Sequence, residues 1–227
     1  INASIDSVLL PAMANEQDER EHVKNMMRRT MMTSIYIMAP LMMGLAFVST
    51  PLIRLLLTEK WLPSAPFLAI FCIIYMFYPV QTANLNAIKA LGRSDIFLKL
   101  EILKIAIGTI VLVSVMWFGV MAMAYSLLFT TVTSQIINSW PNKKLLGYSY
   151  IQQLKDIVPS ILLAAFMGVC VYFIQCIGLP DIITLAIQVP LGAAIYIAGS
   201  KLLKLEAFYY VWDTLKSMLE KITKKKV

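Results

Sequence analysis

The sequence predicts an all-α integral membrane protein of about six transmembrane helices, and three observations lead there. Of its 227 residues, 59% are hydrophobic and only 15% charged, with a mean hydropathy of +0.73. A soluble domain carries roughly a quarter charged residues. Asp, Glu, Lys and Arg are absent from residues 30–53, 61–88, 105–142, 157–180 and 182–200. Finally, the basic residues are concentrated in alternate connections between these runs.

A helix needs about 20 mostly apolar residues to cross the hydrocarbon core. The first, second, fourth and fifth runs therefore hold one span each. The third is 38 residues long, room for two spans, and Gly119 in Phe118-Gly119-Val120 is its strong breaker. The expected spans are 30–56, 63–83, 103–118, 121–137, 157–177 and 182–200. Residues 148–156 read as a short interfacial helix leading into the fifth span. Segments of about 10 residues with alternating polarity, the mark of a membrane β-barrel, are absent.

The flanks complete the organisation. Residues 1–13, with Ile5, Val8, Leu9 and Leu10, read as the end of a preceding membrane helix, so the chain is expected to be a fragment. Residues 14–29 form a charged cytoplasmic loop, 30–200 the six-helix region and 201–227 a cytoplasmic amphipathic basic tail. In that tail Leu205, Phe208, Trp212, Leu215, Leu219 and Ile222 recur at spacings of three and four, with charges between them. Such a helix either lies on the inner leaflet, anchored by Tyr209, Tyr210 and Trp212, or binds a partner.

Charge sets the expected orientation. If residues 14–29 are cytoplasmic and six spans alternate, eighteen of the twenty Lys and Arg residues fall inside, leaving only Arg54 and Lys60 outside. The positive-inside rule favours that arrangement, with both chain ends cytoplasmic. The net charge of +7 is then a topology signal plus attraction to anionic headgroups of membrane lipids. No soluble domain is left to bind nucleic acid.

Several chemistries are disfavoured. The three cysteines, Cys72, Cys170 and Cys176, lie in apolar runs without framework spacing, and His22 is the single histidine; neither a disulfide scaffold nor a metal site is expected. The fourteen methionines lack Cys or His companions and read as flexible apolar filler. No G-x-x-x-x-G-K-[ST] loop occurs, and no span contains a carboxylate pair. The chain is expected not to be an enzyme, and no cofactor is implied.

Polar residues within spans are the candidate site. Gln81, Thr82, Asn84 and Asn86 form the densest patch, with Gln81 and Asn84 at i,i+3 and Thr82 and Asn86 at i,i+4. Amides both donate and accept, which suits sugar hydroxyls; they serve equally in bonds between helices. Thr130, Thr131, Thr133, Ser134, Gln135 and Asn138 form a second patch with the same two readings. Arg54, a basic residue bordering an apolar run, could pair a phosphate bidentately or snorkel to the headgroups. Arg93 and Asp95, in Gly92-Arg93-Ser94-Asp95, either gate or stabilise a turn. Pro40, Pro51 and Pro190 can kink helices, and Ala164/Gly168 and Ala194/Ala198 offer close contacts at i,i+4.

Four loop signatures carry a family resemblance. They are Val8-Leu9-Leu10-Pro11-Ala12-Met13 with the later Met27-Arg28-Arg29, and Pro51-Leu52-Ile53-Arg54-Leu55-Leu56-Leu57-Thr58-Glu59-Lys60-Trp61. The others are Ala90-Leu91-Gly92-Arg93-Ser94-Asp95-Ile96-Phe97-Leu98-Lys99-Leu100-Glu101, the most specific, and Leu146-Gly147-Tyr148-Ser149. Together they resemble the polysaccharide transporters of the multidrug/oligosaccharidyl-lipid/polysaccharide exporter superfamily, above all the lipopolysaccharide, O-antigen and exopolysaccharide flippases. The resemblance implies a fold of two pseudo-symmetric bundles, of which this chain would supply the C-terminal lobe. It implies undecaprenyl-linked oligosaccharide as the cargo, other polysaccharide-assembly proteins as further partners, and the bacterial inner membrane as the location. Gln81, Asn84, Asn86 and Arg54 would then contact substrate. A drug/cation antiporter of the same superfamily would call for acidic residues within spans, a glycan polymerase or ligase for a large external loop. A non-transporting membrane scaffold would act through the tail.

Overall fold

The structure is a computed structural model that describes residues 2–175 and 178–224. Among the described residues every regular element is a helix. In chain order these are α1 (Asn2–Asn15), α2 (Arg20–Phe47), α3 (Ser49–Leu57), α4 (Ala65–Met76), α5 (Tyr78–Ala90), α6 (Ser94–Val115), α7 (Val120–Leu146), α8 (Tyr150–Gln175), α9 (Asp181–Leu202) and α10 (Glu206–Lys224). Short 3-10 turns, Glu59–Ser64 and Met116–Phe118, precede α4 and α7. The all-α membrane class read from the sequence is what the structure displays.

Five helical segments are long and apolar enough to cross a membrane: Arg20–Phe47, Glu59–Ala90, Val120–Leu146, Tyr150–Gln175 and Asp181–Leu202. The remaining expected span, 103–118, falls on the second half of α6 and the turn after it. At 22 residues α6 is about 33 Å long, enough to cross, but Lys99, Glu101 and Lys104 charge its first half. Lys104 and Glu101 neutralise each other at 2.6 Å. Gly119 ends the α6 segment as expected, with φ of 92°, a backbone conformation that side-chain-bearing residues rarely adopt.

The helices have two ends. Arg28, the α5–α6 turn with Arg93, the last turn of α7 with Lys143 and Lys144, and the first turns of α8 with Lys155 share one, called here the basic end. The α3–α4 connection, Gly119 and the start of α9 share the other.

α2 is the central helix. It packs most extensively on α8 and also meets α4, α5, α7, α9 and α10. Its core residues Val23, Met27, Met31 and Ile35 are fully buried, joined by Ala164 and Met167 of α8. Gly168 is what lets α8 approach so closely: a Cβ there would stand 2.2 Å from the Phe47 ring. The expected small-residue pair on α9 is corrected, because Ala194 and Ala198 face outward while Gly192, Tyr196 and Ser200 turn inward. α6 is peripheral, packed on α7 and α5 around Ile88, Leu100 and Ile137.

The expected interfacial helix at 148–156 is also corrected: α8 runs unbroken from Tyr150. Charge at Lys155 and Asp156 marks a boundary in the sequence, but Asp156 is paired in the structure and the helix passes through it.

Proline breaks the first span twice, and each break is repaired from another helix. Pro40 cannot donate to the carbonyl of Tyr36, four residues earlier; the Tyr196 hydroxyl donates to it instead at 2.9 Å. Pro51 likewise frees the Phe47 carbonyl, which accepts from Gln175 Nε2 at 2.8 Å. In hydrocarbon an unpaired carbonyl costs several kcal/mol, so these side chains let the bent helix stay in the membrane.

α10 is held to the bundle by Ala207, which is buried, and by Phe208, whose ring meets Tyr36 at 6.4 Å. Trp212 stacks on Phe208 yet stays exposed, as does Tyr209, while Tyr210 lies 4.3 Å beneath the Arg29 guanidinium. The side chains of Leu215, Leu219 and Ile222, and Lys225 and Lys226, lie outside what is described.

Candidate functional site

The densest polar chemistry inside the apolar bundle is a seam of neutral amides between α5, α7 and α8. Asn84, wholly buried on α5, is its hub. Asn84 Nδ2 donates to Gln153 Oε1 and to the Val80 carbonyl, both at 2.9 Å. Its Oδ1 accepts from Gln153 Nε2 at 3.0 Å and from Asn142 Nδ2 at 2.8 Å. One side chain thus fastens three helices. Interhelical bonds of this kind are worth about 0.6 kcal/mol each in membranes, up to about 1.7.

The seam continues along α7. Gln135 Nε2 donates to the Phe77 carbonyl at 2.9 Å, where the segment bends between α4 and α5 ahead of Pro79. The pairs Gln135–Phe77 and Asn142–Asn84 are both separated by 58 in sequence, so α5 and α7 run side by side in register. Asn138 lies between those two rungs, fully buried, with neither amide atom bonded. Gln135 Oε1 and Asn142 Oδ1 are likewise unpartnered. Because Gln135, Asn138 and Asn142 stand at i, i+3 and i+7, one α7 stripe carries them all.

The residues expected from sequence are placed unequally. Asn84 and Asn86 are buried, and Gln81 is half-buried. The hydroxyls of Thr130, Thr131 and Thr133 donate to carbonyls of their own helix, at Leu127 and Phe129. Arg54 lies at the opposite end, where it meets Asp181 at 3.3 Å. Arg93 grips Asp95 through Nε and Nη2 at 3.0 and 3.1 Å at the basic end. That guanidinium holds the Asp95 carboxyl down to about 2. The structure therefore gathers Asn84 with Gln153 and Asn142, and does not bring either arginine to them.

Asn142 and Gln153 are the seam residues that the sequence reading passed over. Asn142 closes a charge-free run, and its spacing from Gln135 and Asn138 was the available signal. Gln153 sat in a segment read as interfacial.

A second network closes the basic end. Arg28 of α2 donates to both carboxylate oxygens of Asp156 at 2.9 Å and to Glu206 of α10 at 3.0 Å. Tyr148, buried, donates to Asp156 Oδ2 at 2.6 Å. Burial, together with that bond, pushes its phenol above the ordinary value. Among the described residues no group of three or more His, Cys, Asp or Glu is placed to hold a metal; Cys72 and Cys170 are free thiols, and Cys176 lies outside what is described.

Fold and seam together define a multi-pass membrane protein whose helices are tied by uncharged polar groups. A family model described as a polysaccharide biosynthesis protein matches residues 1–66. The Escherichia coli lipopolysaccharide biosynthesis protein WzxC is 25% identical over 74% of this chain and 36% of its own length. The Bacillus subtilis teichuronic acid biosynthesis protein TuaB is 23% identical over 87% of this chain and 42% of its own. An uncharacterized membrane protein of Methanocaldococcus jannaschii is 25% identical over 96% of the chain and 43% of its own length. The chain thus spans about two-fifths of the curated relatives it matches. No solved structure matches it. These matches support the resemblance to the polysaccharide flippase family read from the loops.

Proposed function

We propose that this chain is part of a transporter that moves lipid-linked oligosaccharide or polysaccharide repeat units across the bacterial inner membrane. The observation that carries the reading is the similarity, along most of the chain, to proteins whose names place them in lipopolysaccharide and teichuronic acid biosynthesis. The basic end faces the cytoplasm in this reading, following the positive-inside rule. The bundle supplies positioning and a polar route, with no covalent chemistry.

The neutral seam supports a sugar cargo over a drug or metal cation, because amides offer hydroxyl-binding groups without fixed charge. Gln81, half-buried beside the seam, makes the direct contact; Asn84 and Asn86 hold α5 in place for it. Arg54 attracts the phosphate of the lipid carrier once Asp181 releases it, while Arg93 and Asp95 stiffen the α5–α6 turn against which the cargo enters.

The test is deletion of the full-length gene followed by assay of the leaflet holding the lipid-linked repeat unit. Accumulation in the inner leaflet is expected. Unchanged appearance in the outer leaflet, in a strain without a paralogue, would sink the proposal.

A further inference from the structure

The outer side of the α6–α7 hairpin carries a feature that transport through the seam does not use. At the basic end an open groove of about 550 Å³ lies between the start of α6 and the last turns of α7. Arg93, Lys99 and Lys144 supply its charge, and Ile96, Trp140 and Pro141 its apolar surface. Asp95 satisfies Arg93. Lys99 and Lys144 have no ion-pair partner among the described residues. The N-terminus of α6 opens here as well, and its positive dipole end is met in part by the Asp95 carboxylate, which accepts from the Ile96 N–H.

Below the groove the same helix faces turn apolar and remain uncovered. On α6, Leu103 and Ile110 continue the face of Lys99; both are exposed. On α7, Ile136 and Phe129 continue the face of Trp140, and all three are exposed, Trp140 by 68%. Tryptophan collects at the level of lipid headgroups. Cations at that level attract anionic lipid. The groove lies on the side of α7 turned away from Asn138 and Asn142, so it is separate from the seam.

We propose that this groove is a binding site for an anionic glycerophospholipid. Its phosphate sits between Lys99 and Lys144, its glycerol region lies against Trp140 and Pro141, and its acyl chains run along Leu103, Ile110, Ile136 and Phe129. Charge complementarity at the groove and the continuous apolar faces beneath it argue for a phospholipid of the surrounding leaflet rather than a soluble phosphate. The site stands whatever the bundle transports.

The full-length protein in detergent, titrated with phosphatidylglycerol or phosphatidylcholine and weighed by native mass spectrometry, tests this. Phosphatidylglycerol should bind preferentially, and Lys99→Ala with Lys144→Ala should weaken it about twenty-fivefold, at about fivefold per lysine. Phosphatidylcholine binding should not change, and Lys99→Arg with Lys144→Arg should restore the preference. Equal phosphatidylglycerol binding by the alanine variant would overturn the proposal. So would displacement of the lipid by glycerol phosphate at matching affinity, which would mark a soluble-anion site. Should the alanine variant fail to fold, a protein keeping Trp140 as its only tryptophan gives a second reading. Brominated phosphatidylglycerol must quench it more than brominated phosphatidylcholine does; equal quenching refutes the site.

Discussion

The two ends of the bundle are fastened differently. At the basic end one carboxylate, Asp156, is 17% exposed and ties α2 and the α7–α8 connection together, while Arg28 reaches on to α10. The Asn84 hub lies in the same half. At the opposite end Arg54, 41% exposed, makes a single contact with Asp181. The Gln175–Phe47 bond and the buried Gln188–Val171 bond add ties there. Exposed pairs contribute about 0–1 kcal/mol, whereas a bidentate pair such as Arg28–Asp156 makes stronger charge-assisted bonds. The physical lesson is that charged groups clamp the basic end, while the opposite end is tied chiefly by neutral amides to backbone carbonyls.

Substitutions can break this contrast. Asn84→Leu strips partners from both Asn142 and Gln153 within a buried site, at a cost of about 3 kcal/mol, read as a large drop in the melting temperature of the detergent-solubilised protein. Asp156→Ala should cost about 2 kcal/mol, since it leaves Arg28 with Glu206 alone and Tyr148 without its acceptor. Coupling between Asp156→Ala and Arg28→Ala in a double-mutant cycle isolates the pair; additive effects would mean the end is not clamped through it.

At the opposite end, Gln175→Leu removes the donor to the Phe47 carbonyl beside Pro51. The site is only part-buried and at a helix end, where water replaces the donor, so the cost should be about 1 kcal/mol. Tyr148 gives the clamp a pH dependence. Its folded phenol is shifted upward, so its stabilisation is complete below about pH 10, the ordinary tyrosine value, and is lost as pH rises above that. Melting measured against pH should therefore be less steep on the alkaline side in Tyr148→Phe. The smallest effect is expected from Arg54→Gln, about 0.5 kcal/mol or less. A loss equal to that of Asp156→Ala would erase the difference between the ends.

Much of this was legible in advance. Charge-free runs and Gly119 located the helices because crossing hydrocarbon demands length and apolarity, both one-dimensional properties. The polar patch around Asn84 was visible for the same reason: amides are rare there and conspicuous. Which face each amide used was not. Thr130 and Thr133 looked like Gln135, but short hydroxyls reach only carbonyls of their own helix, whereas the longer Gln135 amide reaches the Phe77 carbonyl just ahead of α5.

The sequence by itself determined the class of protein, the count of apolar runs and the segregation of basic residues, since the bilayer imposes those constraints on each segment separately. Only the tertiary structure decided that Asn142 and Gln153 complete the Asn84 hub, that Tyr196 and Gln175 repair the proline breaks, and that Arg28 meets Asp156. Those bonds join residues distant in the chain, 128 apart for Arg28 and Asp156. Their pairing depends on which helix faces pack together, and no single helix carries that information.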